Sequence, residues 1–235
     1  MSPEPAKPDG AKPGRRYSTF VGLAFLVLVV VATLNTIRTQ GGGILGTGSD
    51  ERGMPLPEFA VPNARTGPLD KDANVAQDNC STSQNPCPSS ARRTPACEIE
   101  VKGAIRVCDL FDRPLVLSFW FTRGATCLPT QDAVDRVASR YRGRVNFLSI
   151  DVRDDPASVR NIVEERGWKL PVGYDRDGAV SDLYRVGGCP TIAFAYPGGI
   201  LDFAKIDATE LTEPKLTGDV QRLVRESRNR ARQGR

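Results

Sequence analysis

The sequence predicts an α/β domain in which helices flank a central β-sheet, with a single N-terminal transmembrane helix in front of it. An apolar, branched and aromatic run begins at Pro114 and has the length of a buried strand. It ends at a turn that leads into a helical pattern, in which Val134, Val137, Ala138 and Tyr141 recur at positions i, i+3, i+4 and i+7. A strand, a short loop and a helix therefore follow one another here.

Cys127 stands where this helix begins. The unpaired N–H groups of a helix start and the helix dipole favour negative charge, so a thiol there is biased toward the reactive thiolate. A second stretch, from Tyr184 to Gly199, carries Cys189 directly before Pro190. These two stretches contain the residues on which the functional interpretation depends.

The remaining elements follow from periodicity and from helix signals. Arg144 to Val152 predicts a second core strand, and Asp155-Pro156 signals the start of a helix that ends at Gly167. Alternation on both sides of Gly103 predicts a β-hairpin from Cys97 to Cys108. A second hairpin and a closing helix complete the domain, with the hairpin at Thr191–Tyr196 and Ile200–Ile206 and the helix marked by Leu216, Val220, Leu223 and Val224.

Together these stretches resemble the thioredoxin-like superfamily. Phe119-Trp120 looks like the Phe-Trp that precedes the redox loop, and Val186 to Thr191 looks like the turn at the cis-proline. The segment from Pro171 to Tyr184 is similar to the membrane-anchored TlpA/ResA group of redoxins. The resemblance runs from about Leu56 to Val224. It implies a thioredoxin-like fold with a mixed sheet, a cis peptide bond before Pro190, and redox chemistry on protein thiols without a cofactor.

The chain departs from the redoxin pattern at the active-site motif. The family's Cys-x-x-Cys aligns with Gly124 to Cys127, so a glycine replaces the attacking first cysteine. Arg123 replaces the usual tryptophan before the motif, and Ser118 stands where classical thioredoxins carry a buried aspartate. A normal dithiol cycle through this loop alone is therefore excluded.

Composition narrows the possible functions. The chain has 235 residues with 40% apolar and 26% charged residues, which suits one domain of about 150 residues plus appendages. Its net charge of +4 is mild, and no basic surface for binding nucleic acid is predicted over the domain. Histidine is absent, so Ser-His-Asp and Cys-His catalysis lack a necessary part, and no metal site is predicted. We interpret the acidic run Asp151, Asp154 and Asp155 as loop and helix cap.

The apolar segment from Tyr17 to Ile37 lacks charge and is long enough to cross a bilayer. Four basic residues precede it and only Arg38 closely follows it, which predicts a cytoplasmic N-terminus and an extracytoplasmic domain. A cleaved signal peptide is the alternative, although Val30-Val31-Ala32 is a poor cleavage site. The predicted organisation is a disordered cytoplasmic tail (1–16), a membrane anchor (17–37), a flexible linker (38–54), a thioredoxin-like domain (55–228) with a long polar loop (64–96), and a basic tail (229–235).

Six cysteines permit fifteen pairings. Closure of the predicted hairpin pairs Cys97 with Cys108, and closure of a short loop in an oxidising compartment pairs Cys80 with Cys87. Cys127 and Cys189 are then left. Because the residue before the cis-proline sits against the redox loop in thioredoxin-like folds, this resemblance implies that the two are close in space. They form a relocated redox pair in one hypothesis; in the other, one is a buried apolar residue or both form a static disulfide.

Neighbouring residues have alternative interpretations. Arg123 either lowers the pKa of Cys127 and attracts an acidic substrate, or is merely solvated. Thr126 is predicted as the helix cap, with a hydroxyl near the thiol as a second possibility. Gly124 belongs to the same active-site loop. The resemblance makes Pro190 a backbone template for peptide substrates, whereas Trp120 is interpreted as a core residue.

Three functions remain open. The first is a membrane-tethered thiol-disulfide oxidoreductase that acts on extracytoplasmic protein thiols through Cys127 and Cys189. The second is a redox-inactive thioredoxin-like module that binds a partner. The third is peroxide reduction by Cys127, although Gly124 and Trp120 replace the hydroxyl and the proline of the peroxiredoxin pattern. A solvent-reachable Cys127 would favour an enzyme, and a permanently bridged one would favour the binding module.

Overall fold

The computed structural model describes residues 21–31, 52–67, 81–82, 85–86, 95–123, 127–206 and 211–233. The chain divides into two compact units, residues 1–41 and 42–235. In the first unit the described part is helix α1, at residues 21–31, which lies within the predicted anchor. Among the described helices, none has both the length and the apolar character that crossing a bilayer requires.

The second unit contains nine strands and four helices in its described part. The strands are β1 (Ala60–Pro62), β2 (Ser81–Thr82), β3 (Asn85–Pro86), β4 (Ala104–Arg106), β5 (Leu115–Trp120), β6 (Asn146–Val152), β7 (Val172–Asp175), β8 (Thr191–Tyr196) and β9 (Ile200–Lys205). The helices are α2 (Leu128–Arg140), α3 (Pro156–Glu165), α4 (Ala179–Tyr184) and α5 (Glu213–Gln233).

Five of these strands form the central sheet, in the order β7-β6-β5-β8-β9. Strands β5, β6 and β7 run parallel, whereas β8 runs antiparallel to β5 and β9 antiparallel to β8. The predicted mixed sheet and its flanking helices are therefore confirmed. Because β8 is antiparallel to β5, the start of β8 lies at the same edge of the sheet as the end of β5, with Thr191 opposite Phe119.

Both faces of the sheet are covered, which explains the continuous apolar sequence of β5. Alternate side chains of a strand point to opposite faces. Val116 and Trp120 accordingly belong to one core cluster, with the apolar residues of α2 and α5, whereas Leu117 and Phe119 belong to the other. The α2 residue Val134 is fully buried in the first cluster.

Helix α3 begins as the sequence predicts. Asp155 is its N-cap, and the carboxylate accepts hydrogen bonds from the backbone N–H groups of Ala157 and Ser158 at 3.1 Å. Pro156 occupies the first turn, where its missing N–H leaves no hydrogen bond unmade.

The predicted hairpin from Cys97 to Cys108 is wrong. Short 3-10 turns contain the two cysteines, at Ala96–Glu98 and Val107–Leu110, and β4 pairs with β1 rather than with the residues before Gly103. Strand β1 pairs with β4 instead, and this pairing accompanies the full burial of Val61 in β1 and of Phe59 just before it. Cys97 and Cys108 are nevertheless bonded, with Cα atoms 5.8 Å apart.

The long polar loop is described only in part. Strands β2 and β3 form a two-residue antiparallel ladder within it, which the sequence pattern did not predict. Cys80 and Cys87 lie outside the described residues, so their pairing stays a prediction.

We expect a Cys97→Ser/Cys108→Ser variant to lose about 3 kcal/mol of unfolding free energy, because the bond removes loop entropy from the unfolded chain. The two cysteines are separated by 11 residues in sequence. Urea unfolding of the variant and of the wild type, both oxidised, measures the difference. Equal unfolding free energies would show that the crosslink adds nothing to the fold.

Candidate redox site

Cys127 and Cys189 are joined by a disulfide across a sequence separation of 62, with Cα atoms 5.8 Å apart. Cys127 is the N-cap of α2, and Cys189 precedes Pro190 through a cis peptide bond. The sheet topology produces this proximity, because the loop after β5 and the turn before β8 lie at the same sheet edge. Both cysteines are buried, with 0% of Cys127 and 3% of Cys189 exposed.

The start of α2 differs from its predicted form. The N-cap is Cys127 itself, and its side chain makes no capping hydrogen bond within the described structure. Thr126, the predicted cap, lies outside the described residues together with Gly124. The backbone carbonyl of Cys127 accepts the N–H groups of Thr130 and Gln131 at 3.0 and 3.1 Å. The carbonyl, and not the sulfur, therefore uses these first-turn donors.

The Cys189 sulfur has a backbone donor of its own. The N–H of Phe121, directly after β5, points to Cys189 Sγ at an N···S distance of 3.4 Å. On the other side of Pro190, the Thr191 hydroxyl donates to the carbonyl of Gly188 at 2.7 Å, which fixes the turn. The loop after β5 thus contacts Cys189 as well as leading to Cys127.

Arg123 makes an ion pair that the sequence did not predict, and its proposed action on Cys127 or on a substrate stays a prediction. Its side chain is 67% exposed, but its guanidinium pairs with the buried carboxylate of Asp154 at 3.4 Å and donates to the carbonyl of Arg153. Asp154 also accepts the backbone N–H of Thr122 at 2.7 Å. These contacts tie the redox loop to the turn after β6.

The acidic run is more than loop and cap, because Asp151 is a buried residue of β6. It is in register with Trp120 of β5, so both side chains point to the same face of the sheet as the cysteine pair. Burial raises the pKa of Asp151 to about 9, and the nearby carboxyls of Asp154 and Asp175 contribute to the increase. One oxygen of Asp151 accepts the N–H of Asp154 at 3.2 Å, and the other has no partner among the described residues.

Known proteins support the same fold. No family model matches the chain. The chain is 25% identical to the thiol-disulfide oxidoreductase ResA of Oceanobacillus iheyensis over 118 residues, which are 50% of this chain and 60% of that protein. It is 27% identical to ResA of Bacillus thuringiensis over 88 residues, 37% of this chain and 51% of that one. The chain thus spans between about half and three fifths of these relatives.

Two solved structures are similar over most of their length. A DsbE thiol:disulfide interchange protein from Chlorobium tepidum matches with a TM-score of 0.52 and 13% identity, over 75% of this chain and 96% of that one. A thioredoxin domain of a thiol-disulfide oxidoreductase from Bacteroides vulgatus matches with a TM-score of 0.50 and 13% identity, over 74% and 97%. The chain has the thioredoxin-like fold and is similar to redoxins of the ResA/TlpA type.

In this redoxin, Ser118 stands at the position of the buried aspartate of classical thioredoxins and belongs to a cluster of uncharged polar side chains. Ser118 of β5 and Ser149 of β6 both donate to Gln131 Oε1, each at 3.1 Å. The Gln131 amide nitrogen is buried and has no partner within the described structure. The buried acid of this redoxin is instead Asp151, one strand away from the expected position.

Trp120 is a core residue, as the sequence indicated. Its ring is fully buried and meets Trp168 edge-on at 5.2 Å between centroids. Trp168 in turn donates its indole N–H to Asp132 of α2 at 2.7 Å. The pair fixes α2, and with it Cys127, against the end of β5.

Within the described part of the redoxin, one group of side chains has ligand atoms close enough for a shared metal. It comprises Glu58, Cys97 and Cys108, whose ligand atoms lie within 4.8 Å of one another. The two sulfurs are bonded to each other there, so neither is a thiolate ligand in this state.

Proposed function

We propose that this redoxin is a thiol-disulfide oxidoreductase whose exchanging pair is Cys127 and Cys189. One observation carries the proposal: the disulfide joins the start of α2 to the residue before the cis-proline, at one edge of the sheet. A glycine stands at the position of the family's first cysteine, so the second thiol of a dithiol cycle has to come from elsewhere. Curated relatives named as thiol-disulfide oxidoreductases support this assignment.

The cycle needs no group beyond sulfur. In the reduced protein one thiolate attacks a substrate disulfide, forms a mixed disulfide and releases one substrate thiolate. The second cysteine then attacks the mixed disulfide, which restores the Cys127–Cys189 bond and releases the other substrate thiolate. Two electrons pass from the pair to the substrate, and an external protein dithiol returns them.

We further propose that the domain is tethered to the cell membrane and acts on extracytoplasmic protein thiols. The uncharged segment Tyr17–Ile37 and the basic residues before it support this topology. The Cys97–Cys108 bond fits an oxidising compartment.

A redox-inactive binding module is the second candidate. The burial of both sulfurs favours it, because a disulfide shielded from solvent exchanges slowly with external thiols. Peroxide reduction has less support, since Cys127 is bonded to Cys189 and is fully buried.

A redox titration of the full chain in detergent, with mass-spectrometric mapping of every cysteine, separates these functions. We expect the Cys127–Cys189 bond to form and break reversibly between about −120 and −270 mV, the range of catalytic disulfides. Cys97–Cys108 is expected to stay oxidised over this whole range, because structural disulfides have reduction potentials below about −300 mV. A Cys127–Cys189 bond that opens only when the domain unfolds would contradict the oxidoreductase proposal and favour the binding module.

A further inference from the structure

We propose that Cys189, on the cis-proline turn, is the attacking thiol, and that Cys127, at the start of α2, is the resolving thiol. The assignment rests on the proposed function and reverses the order expected from the sequence, in which the helix start favours Cys127. Three observations support it: the donor to each sulfur, the occupation of the first-turn amides, and the surroundings of each residue.

The first observation is the hydrogen bond at Cys189. The N–H of Phe121 lies 3.4 Å from Cys189 Sγ and is aimed at it, and it is closer to the sulfur than the Phe121 carbonyl oxygen, which lies 3.7 Å away. A backbone donor that stays in place favours the charged form of a thiol, since hydrogen bonding to an anion lowers the pKa of its conjugate acid. The Phe121 amide is well placed to remain, because it follows β5 directly and the next N–H, of Thr122, is held by Asp154 at 2.7 Å.

The second observation is that the helix start offers Cys127 few donors. An α-helix leaves its first four N–H groups without intrahelical partners, and these groups are what stabilise an anion there. In α2, Pro129 has no N–H, and the amide of Thr130 bonds the carbonyl of Cys127. The Cys127 sulfur makes no capping hydrogen bond in the described structure. Of the first-turn donors that could stabilise a Cys127 thiolate, one is therefore missing and one is already bonded to the backbone.

The third observation is the path to solvent. Cys189 retains 3% exposure and Cys127 has none. The turn that leads to Cys189 reaches the surface, with Arg185 and Gly187 exposed and Val186 half-buried. Both cysteines belong to the same core cluster, so what distinguishes Cys189 is this turn, which connects it to the surface.

These roles give a balanced exchange. The Cys189 thiolate attacks one sulfur of a protein disulfide, a Cys189–substrate bond forms, and the other substrate sulfur leaves as a thiolate that takes up a proton. Cys127 then loses its proton and attacks Cys189 Sγ, which forms the Cys127–Cys189 bond and expels the second substrate thiolate. The substrate gains the two electrons that the cysteine pair loses.

Two serine variants of the full chain, Cys127→Ser and Cys189→Ser, serve as matched partners in the test. The remaining thiol is alkylated with iodoacetamide across a pH series, and the labelled peptide is quantified by mass spectrometry. We expect the pKa of the Cys189 thiol in Cys127→Ser to be lower by at least about one unit than that of the Cys127 thiol in Cys189→Ser, so that the midpoint of its alkylation rate lies at least about one pH unit lower. Cys97 and Cys108 are bonded to each other, so labelling of either would show that their disulfide has been reduced.

A second measurement uses the wild type, so that it does not depend on either variant folding. The reduced wild type is mixed briefly with oxidised glutathione and quenched with acid, and the mixed disulfide is located by peptide mapping. Glutathione on Cys189 supports the assignment. Glutathione on Cys127, or a lower pKa for Cys127, overturns it while leaving the oxidoreductase intact, since the oxidoreductase is judged by the reversible titration of the wild-type pair.

Discussion

The thiol-disulfide turnover of a Cys189→Ser variant is expected to fall on the order of 100-fold or more, because the exchange needs two thiols and only Cys127 remains. The effect should appear in kcat/KM as well as in kcat, since the remaining Cys127 is the resolving thiol and a mixed disulfide that forms there cannot be resolved within the protein. Reduction of a fluorescent disulfide-linked peptide by the full chain, with dithiothreitol as electron donor, measures it. The Cys97→Ser/Cys108→Ser variant is the control and should keep wild-type turnover at a temperature where it stays folded.

A second variant tests the need for two thiols by restoring a thiol instead of removing one. Gly124→Cys in the Cys189→Ser background creates a Cys-x-x-Cys motif with Cys127. We expect it to recover turnover, because the missing thiol is returned to the position that redoxins of this type use. Wild-type turnover in Cys189→Ser would show that Cys189 takes no part. Absence of turnover in every variant and in the wild type would identify the binding module.

An Asp151→Asn variant is expected to be more stable than the wild type at neutral and alkaline pH, with a flatter dependence of stability on pH. Burial raises the pKa of Asp151 from 3.8 to about 9. A raised folded-state pKa gives stability that is fully present below about pH 4 and is lost as the pH rises toward 9. Each unit of pKa difference corresponds to about 1.4 kcal/mol, so the loss by pH 8 amounts to several kcal/mol. Asparagine cannot ionise and keeps the oxygen that accepts the Asp154 N–H.

Unfolding free energies from urea titrations at pH 4, 6 and 8 measure this prediction. The matched control is Asp155→Asn, which removes a carboxylate from the same turn but from an exposed helix cap. That variant should lose a fraction of a kcal/mol, because asparagine is also a good N-cap. An identical slope in Asp151→Asn and the wild type would show that Asp151 is ionised in the folded protein.

Local patterns predicted the main elements of this redoxin because those elements are decided by nearby residues. The run from Leu115 to Trp120 is buried on both faces, and such a strand is apolar at every position but one. The cap at Asp155 depends on contacts within three residues. The cis-proline turn was recognisable because its residues are consecutive.

The partner of β4, which was wrongly predicted as a hairpin with the residues at Cys97, could not be predicted from the sequence pattern alone. Alternating residues show that a strand forms but not which partner it takes, and β4 pairs with β1 from about 45 residues earlier in the chain. The ion pair of Arg123 and the burial of Asp151 were missed for a related reason. Arg123 pairs with Asp154 of the turn after β6. Asp151 lies between Trp120 and Tyr174 in the sheet, on the face that one core cluster covers.

The sequence by itself determined the thioredoxin-like order of elements, the loss of the first motif cysteine and the absence of histidine chemistry, because these depend on residue types and local spacing. The tertiary structure alone decided that the two sulfurs bond, that the Phe121 amide points to Cys189, and that the carbonyl of Cys127 takes the first-turn donors. These contacts join segments that lie up to 68 residues apart. They exist only once the antiparallel pairing of β8 with β5 has brought both loops to one edge of the sheet.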